Sequence, residues 1–359
     1  MRSRWVLALV SLLLVLAAPA HPRAIGPSPG GNSSDNVEWI KHVPFDAVTA
    51  TGASLVGKYL YVTSWRNFSI YDVSDALDPQ LIATVPFGFQ FENEDVSTNG
   101  NIMLFSESLP RSVLHIWDVE DKSNPTEIAA LSGAGDHTST CILDCSYSYG
   151  SEGTITDLRD PARPKIVGDW WKLIDFKDDA HDVEEIKTGF VIVSTISSPL
   201  LLMDVRKPLE PKVLALGAHP APGSWLFHSG MWPNRWKDRF LLMEGEGSNG
   251  PFATYDTRNW KSTGTFKLID SFTVEDSSES SHWFDTHPDF RNGGLVTIGW
   301  YGKGTRFLDI SPTGKIKEVG WFEPHVERSG FSSYWLSKEI VYAIDLYRGI
   351  DILRFDPKA

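Results

Sequence analysis

Short stretches of apolar residues alternate with polar turns along the whole chain, and one such stretch recurs. Each copy has the apolar pattern of a β-strand, ends at an acidic residue with a polar turn, and is followed by a second apolar stretch. The strand patterns end at Asp72, Asp118, Asp157, Asp204, Asp256 and Asp309, and a degenerate seventh copy has Arg354 at this position.

The copies are 46, 39, 47, 52, 53 and 45 residues apart, with no helical pattern between them. A repeat of about 40–50 residues that contains only strands is typical of the blades of a β-propeller. The sequence therefore predicts an all-β fold, a seven-bladed β-propeller, with residues 36–359 as a single domain.

The last repeat stops after its third strand, whereas the first has four strand patterns, at residues 54–56, 59–64, 68–73 and 79–85. Residues 37–45 resemble the fourth of these, because both segments close with Val-Pro-Phe. We therefore expect the N-terminal strand to complete the last blade and close the ring, which leaves no long free edge.

The turns of the repeat resemble those of a known family. The sequence Asp-Val-Ser-Asp-x-x-x-Pro begins at Asp72, and the stretch from Arg348 to Phe355 has the matching strand pattern. Together they resemble the LVIVD repeat of exported β-propeller proteins. The resemblance implies the fold but no settled activity, so the function has to be argued from a site.

The first 20 residues have the pattern of a secretory signal peptide. Arg2 and Arg4 precede an apolar run that is too short to span a bilayer, and residues 18–20 form a small-residue cleavage pattern. Residues 21–35 are polar and rich in Gly, Pro and Ser, which predicts a disordered lead-in. We expect a secreted protein without a membrane span, and a monomer.

Cysteines and charge narrow the picture further. The two cysteines, Cys141 and Cys145, suit a disulfide across a tight turn in an oxidising compartment, although two reduced, packed cysteines are the alternative. The net charge is −13 and no cluster of Lys and Arg occurs, which argues against nucleic acid as a partner.

Histidines occur at one repeat position in several blades, at the start of the innermost strand. The ring would bring this position together around its axis. The set is His137, His181, His228 and His287, with Glu94 in a further blade and His282 as an alternative to His287. Imidazoles with a carboxylate suit one transition metal ion (Zn, Cu or Fe) better than Ca or Mg, so the set predicts a metal site. The alternative is that these histidines only form hydrogen bonds in a polar channel.

Basic residues precede the third strand of several repeats and predict a second, weaker set on the same face. A carboxylate or phosphate group is the ligand they would hold, although pairing with acidic turn residues is the alternative. The set is Arg66, Arg111, Lys303 and Arg348.

Two functions follow from these patterns. The first is a platform that binds an unknown small molecule or an extracellular protein over the channel face. The second is a metal-dependent enzyme, an oxidoreductase or lyase, in which Glu94 is a fifth ligand or a general base. Nothing in the sequence decides whether the protein is an enzyme.

Overall fold

The described part of the protein is all-β, with 57% of its residues in strands and 4% in helices. The computed structural model describes residues 30–45, 49–88, 94–108, 111–220, 225–275, 277–325 and 329–358. The predicted signal peptide, residues 1–20, lies outside the described residues. The predicted disordered lead-in is outside them up to residue 29, but its described end contains a strand, β1 (Gly31–Ser33).

Within the described residues the strands form seven four-stranded antiparallel units, numbered here in chain order. Unit 1 is β3 (Ala50–Val56), β4 (Tyr59–Ser64), β5 (Asn67–Asp72) and β6 (Gln80–Pro86); unit 2 is β7 (Ser97–Thr98), β8 (Ile102–Glu107), β9 (Val113–Asp118) and β10 (Thr126–Ser132). Unit 3 is β11 (Ser139–Ile142), β12 (Tyr147–Gly150), β13 (Thr154–Asp157) and β14 (Lys165–Asp169); unit 4 is β15 (Ala180–Lys187), β16 (Phe190–Thr195), β17 (Leu200–Asp204) and β18 (Lys212–Gly217).

The remaining units follow the same order. Unit 5 is β19 (Trp225–Met231), β20 (Phe240–Gly247), β21 (Phe252–Asp256) and β22 (Thr265–Phe272); unit 6 is β23 (Ser281–Thr286), β24 (Gly294–Trp300), β25 (Gly304–Ile310) and β26 (Ile316–Pro324). Unit 7 is β27 (Gly330–Trp335), β28 (Ile340–Asp345), β29 (Gly349–Phe355) and the early strand β2 (Val37–Pro44). In the described residues, three one-turn helices lie between strands: α1 (Trp170–Leu173), α2 (Pro233–Trp236) and α3 (Trp260–Thr263).

Two contacts extend this pattern. Strand β1 adds to the edge of unit 6 by pairing with β26. Units 4 and 5 form one eight-stranded sheet, because β18 and β22 pair in parallel.

In units 1 to 5 the repeated acidic residue closes the turn that follows the third strand. In unit 1, the backbone N–H of Ser74 donates to Asp72 Oδ1 over 2.8 Å. The equivalent bonds in the next units are from Glu120 to Asp118 (2.9 Å), Arg159 to Asp157 (3.1 Å), Arg206 to Asp204 (3.1 Å) and Arg258 to Asp256 (3.0 Å). A side chain that accepts from the backbone two residues on is an Asx turn, which explains why this position repeats.

The hydrophobic core is divided into clusters, each of which lies between two neighbouring units. Phe68 of unit 1, for example, packs edge-on against Trp117 of unit 2, with ring centroids 5.0 Å apart. Similar clusters join each following pair of neighbouring units, from units 2 and 3 to units 6 and 7. A further cluster joins unit 7 to unit 1, with Tyr342 and Ile352 against Leu60 and Tyr71. Each unit therefore buries both of its faces.

As the sequence predicts, the N-terminal strand pairs with the last one. Strand β2 runs antiparallel to β29, from Val37 opposite Phe355 to Pro44 opposite Gly349. Asp351 of β29 lies between the two strands, where it accepts from Trp39 Nε1 and His42 Nδ1, each over 3.0 Å. A buried charge network therefore joins these strands in addition to their backbone ladder.

Cys141 and Cys145 form a disulfide across the turn between β11 and β12. Leu143 and Asp144, inside this turn, have backbone φ angles of 53° and 58°. Non-glycine residues seldom adopt such values, so the disulfide holds a tight left-handed turn. In the described part of the chain, no helix is long and apolar enough to span a membrane.

Candidate metal centre

Five units each contribute one side chain to a single polar cluster. His181, His228 and His282 lie in the first strands β15, β19 and β23, while Glu94 and His137 lie just before β7 and β11. His181 and His228 are the extra residues of β-bulges, since the pairing register shifts across each of them. A bulge turns a side chain away from the regular alternation of a strand, and here it directs the two imidazoles into the cluster.

The carboxylate of Glu94 lies at the centre of the cluster. Its Oε1 is 2.7 Å from His228 Nε2 and 3.0 Å from His282 Nε2. Its Oε2 is 3.0 Å from His137 Nε2 and 3.9 Å from His181 Nε2. The two imidazole nitrogens of His137 and His181 are themselves 2.9 Å apart. Four ring nitrogens from four units thus face one carboxylate.

The cluster is buried on one side and open on the other. The side chains of His228 and His282 are 0% exposed, whereas those of His137 and Glu94 are 13% and 14% exposed. Glu246, whose Oε2 is 3.5 Å from His181 Nε2, is 24% exposed. An ion held here would therefore be reached from the side of His137, Glu94 and Glu246.

Two of the histidines are oriented by partners on their other ring nitrogen. His282 Nδ1 lies 2.8 Å from the carbonyl oxygen of Phe331, and His228 Nδ1 contacts the fully buried carboxylate of Glu244. Because a carbonyl or carboxylate oxygen only accepts, both Nδ1 atoms carry the proton. Metal-binding histidines commonly have such an outer partner, which leaves Nε2 free to coordinate.

The electrostatics of the cluster favour a positive charge at its centre. Burial raises the pKa of Glu94, but the charge of His228 and three hydrogen bonds from histidines outweigh it and hold this pKa well below its usual range. Burial lowers the pKa of His228, but the charges of Glu244 and Glu94 outweigh it and raise this pKa well above its usual value. For His181, burial and the neighbouring histidines lower the pKa, so this imidazole stays neutral and able to bind a metal.

In comparisons with known proteins, no protein-family model matches the chain, and no curated protein matches it either.

The structure brings together Glu94, His137, His181 and His228 of the predicted set, with His282 rather than His287. The Nε2 of His287 lies 3.0 Å from the carbonyl oxygen of Lys338, and its Nδ1 accepts from the backbone N–H of Asp289. The reason is its position: β23 ends at Thr286, so His287 follows the strand whereas His282 lies near its start.

Part of the predicted basic set is paired with acidic residues of the protein. Arg348 is buried, and its guanidinium pairs with Asp351 and Asp345. Arg111 Nε donates to the buried Glu107 over 2.7 Å. Arg66 is exposed and Lys303 is partly buried. Two of the four charges are therefore used in ion pairs within the protein.

Glu244 and Glu246 belong to the site, but sequence reasoning did not find them. They lie on β20, the second strand of unit 5, at the end of an apolar stretch. Two acidic residues inside a strand that is otherwise apolar were the available signal, since buried carboxylates require partners.

Proposed function

We propose that the protein is an exported seven-bladed β-propeller of the LVIVD-repeat type, and a metal-dependent enzyme whose transition metal lies on the propeller axis. The seven units, the core cluster between units 7 and 1 and the pairing of β2 with β29 support the closed ring. The disulfide is compatible with export.

One observation carries the metal proposal. The Nδ1 atoms of His228 and His282 both donate away from the centre, so in a neutral imidazole the Nε2 of each presents a lone pair. Both lone pairs face the ionised oxygen Oε1 of Glu94 within 2.7 and 3.0 Å. Without an ion, each Nε2 has to donate a proton to Glu94 in addition to the Nδ1–H bond on the other side of the ring; a metal ion between the groups would take the place of both protons.

The donor set indicates the kind of metal. Imidazole nitrogens with few carboxylates suit Zn, Cu or Fe, and the N–N separation in His137 and His181 fits two ligands at about 2.0–2.1 Å from one ion. The partly exposed edge of the cluster is the property that distinguishes catalytic sites from closed structural sites. A metal held there would polarise or oxidise a bound substrate.

Metal analysis of protein purified without a histidine tag tests the proposal. We expect stoichiometric transition metal in the wild type, and an affinity for metal at least about tenfold weaker in His282→Ala, which removes a buried ligand. His287→Ala is the matched control, because it removes a histidine of the same unit that lies outside the cluster. A folded wild-type protein that takes up no Zn, Cu or Fe would contradict the proposal.

A second measurement separates an enzyme from a structural metal site. Azide or cyanide added to the Co²⁺- or Cu²⁺-loaded protein should shift the visible absorption, because the open edge leaves a coordination position for a small ligand. An unchanged spectrum at saturating azide would show a closed site and would argue against catalysis.

A binding platform without chemistry is the second candidate. A cavity of about 540 Å³ supports it; acidic and hydroxyl side chains, among them Asp95, Thr140 and Glu184, line this cavity. An unknown small molecule or an extracellular protein would then be the partner. The buried ion pairs of Arg348 weaken the version in which a basic rim holds an anion, so we place this candidate second.

A further inference from the structure

The cluster separates into two triads that share Glu94. The ligand atoms of Glu94, His228 and His282 lie within 4.8 Å of one another, and so do those of Glu94, His137 and His181. The carboxylate divides between them: Oε1 faces His228 and His282, and Oε2 faces His137 and His181. Each oxygen therefore has its own pair of imidazoles.

Glu246 lies close to one histidine of each triad. Its ligand atom forms a third group with those of His181 and His228, again within 4.8 Å of one another. His181 comes from one triad and His228 from the other. The carboxylate of Glu246 therefore lies between the two triads, as the carboxylate of Glu94 does.

The carboxylates around the cluster, when all are ionised, carry more charge than one divalent ion balances. Glu94, Glu244, Glu246 and Asp182 are carboxylates at or beside the four histidines. Within the described residues the ion pairs of the three glutamates are all with histidines, and Asp182 Oδ2 and Glu244 Oε2 have no hydrogen-bond partner. Buried carboxylates without Lys or Arg partners are expensive unless other cations neutralise them.

We propose that the centre holds two divalent transition-metal ions, bridged by the carboxylate of Glu94. One ion binds His228 and His282, and the other binds His137 and His181. Glu246 is the second bridging carboxylate, a role that nothing in the repeat pattern suggested. Two ions joined in this way lie about 3.5–4 Å apart in carboxylate-bridged sites. This inference rests on the proposed metal function and specifies how many ions that function uses.

Counting bound ions tests the inference directly. The full chain is stripped with a chelator and titrated with Co²⁺, and the bound ions are counted by absorption and elemental analysis. We expect two Co²⁺ per wild-type chain, and two in the control His287→Ala. The double variants H137A/H181A and H228A/H282A should each keep one ion, because each removes one pair of imidazoles and leaves the other.

Magnetic coupling gives a second measurement that needs no variant. Two Cu²⁺ ions at the bridged distance couple through the carboxylate, so the EPR signal of the doubly loaded protein should integrate to far fewer spins than the copper content. Glu94→Gln weakens the bridge and should restore spins toward the copper content. Uncoupled spins equal to the copper content in the wild type would overturn the bridged pair.

The failures of the two proposals are distinguishable. One ion per wild-type chain, lost in both double variants, would overturn the two-ion centre and leave the metal function standing. No bound metal in a folded wild-type chain would overturn both. If the double variants do not fold, the wild-type ion count and the EPR spin count still decide the question.

Discussion

Replacing Asp351 by Asn should destabilise the protein strongly, because it breaks a buried charge network between β2 and β29. Asp351 and Arg348 are each 1% exposed in their side chains and form an ion pair, and Asp351 also accepts from Trp39 and His42. Removing one partner of a buried pair costs about 3–5 kcal/mol, and Arg348 would keep only its longer contact with Asp345, at 3.4 Å.

This energy converts to a measurable shift in the melting temperature. With an unfolding entropy of about 2.1 cal/mol/K per residue over roughly 310 described residues, each kcal/mol lowers the Tm by about 1.5 °C. Asp351→Asn should therefore lower the Tm by about 5–8 °C. Glu38→Gln is the matched control: it breaks the exposed pair of Glu38 with Arg354 between the same two strands and should cost at most about 1 kcal/mol.

The effect should also depend on pH. Burial raises the pKa of Asp351, but the hydrogen bond from His42 and the charge of Arg348 outweigh it, and the pKa is lowered. A lowered pKa means that the ionised form stabilises the fold above the unfolded value of about 3.9, and that this stability is lost as the pH falls below it. The Tm difference between wild type and Asp351→Asn should therefore be largest near neutral pH and shrink in acid.

Differential scanning fluorimetry between pH 3 and pH 7 measures both effects. A Tm of Asp351→Asn within about 2 °C of that of Glu38→Gln at pH 7 would refute the reasoning. So would a Tm difference from wild type that stays constant down to pH 3.

Two further substitutions test other parts of the structure. Gly52→Ala would place a Cβ 1.9 Å from the carbonyl oxygen of Glu94. We expect the free energy of unfolding to fall by about 1–3 kcal/mol, and elemental analysis to show weaker metal binding. Gly88→Ala is the control, because the space around Gly88 is open, and it should change neither quantity. A Gly52→Ala protein with full metal content would contradict the placement of Glu94. Replacing Cys141 and Cys145 by Ala should lower the free energy of unfolding by no more than about 2 kcal/mol, because the disulfide closes a short loop, and urea unfolding checks this; a loss of 4 kcal/mol or more would be inconsistent with it.

The repeat predicted the strands well because the third strands of units 1 to 5 end in the same chemistry. The acceptor role of Asp72 and its equivalents requires one residue type at one position, so it is visible in the sequence. The pairing of β2 with β29 was predictable for a similar reason, since residues 37–45 repeat the pattern of a fourth strand.

The candidate site was only partly predictable. The shared position at the start of the first strand indicated His137, His181 and His228 correctly as neighbours. The choice between His282 and His287 depended on the length of the turn after the first strand. His282 is the equivalent of His228, because each precedes the second strand of its unit (β24 and β20) by the same number of residues. A shorter turn between the first two strands of unit 6 was expected from the sequence, and such a turn favoured His287.

Glu246 and Glu244 lie on a second strand, outside the position that the repeat aligns. Their distance from the histidines depends on how far the sheets twist around the centre. That distance is a property of packing, and no spacing along the chain encodes it.

The pairing of β2 with β29 also imposes an order in time. Strand β2 ends at Pro44, and its partner begins at Gly349, roughly 300 residues later. At a synthesis rate of about 5–20 residues per second, roughly 15–60 s pass between the synthesis of β2 and that of β29. Until then its backbone edge is available to other chains, and unit 7 lacks its outer strand. A chain released before Gly349 is made therefore carries an unpaired β2, and the segment from Gly349 to Phe355 is the one that covers its edge.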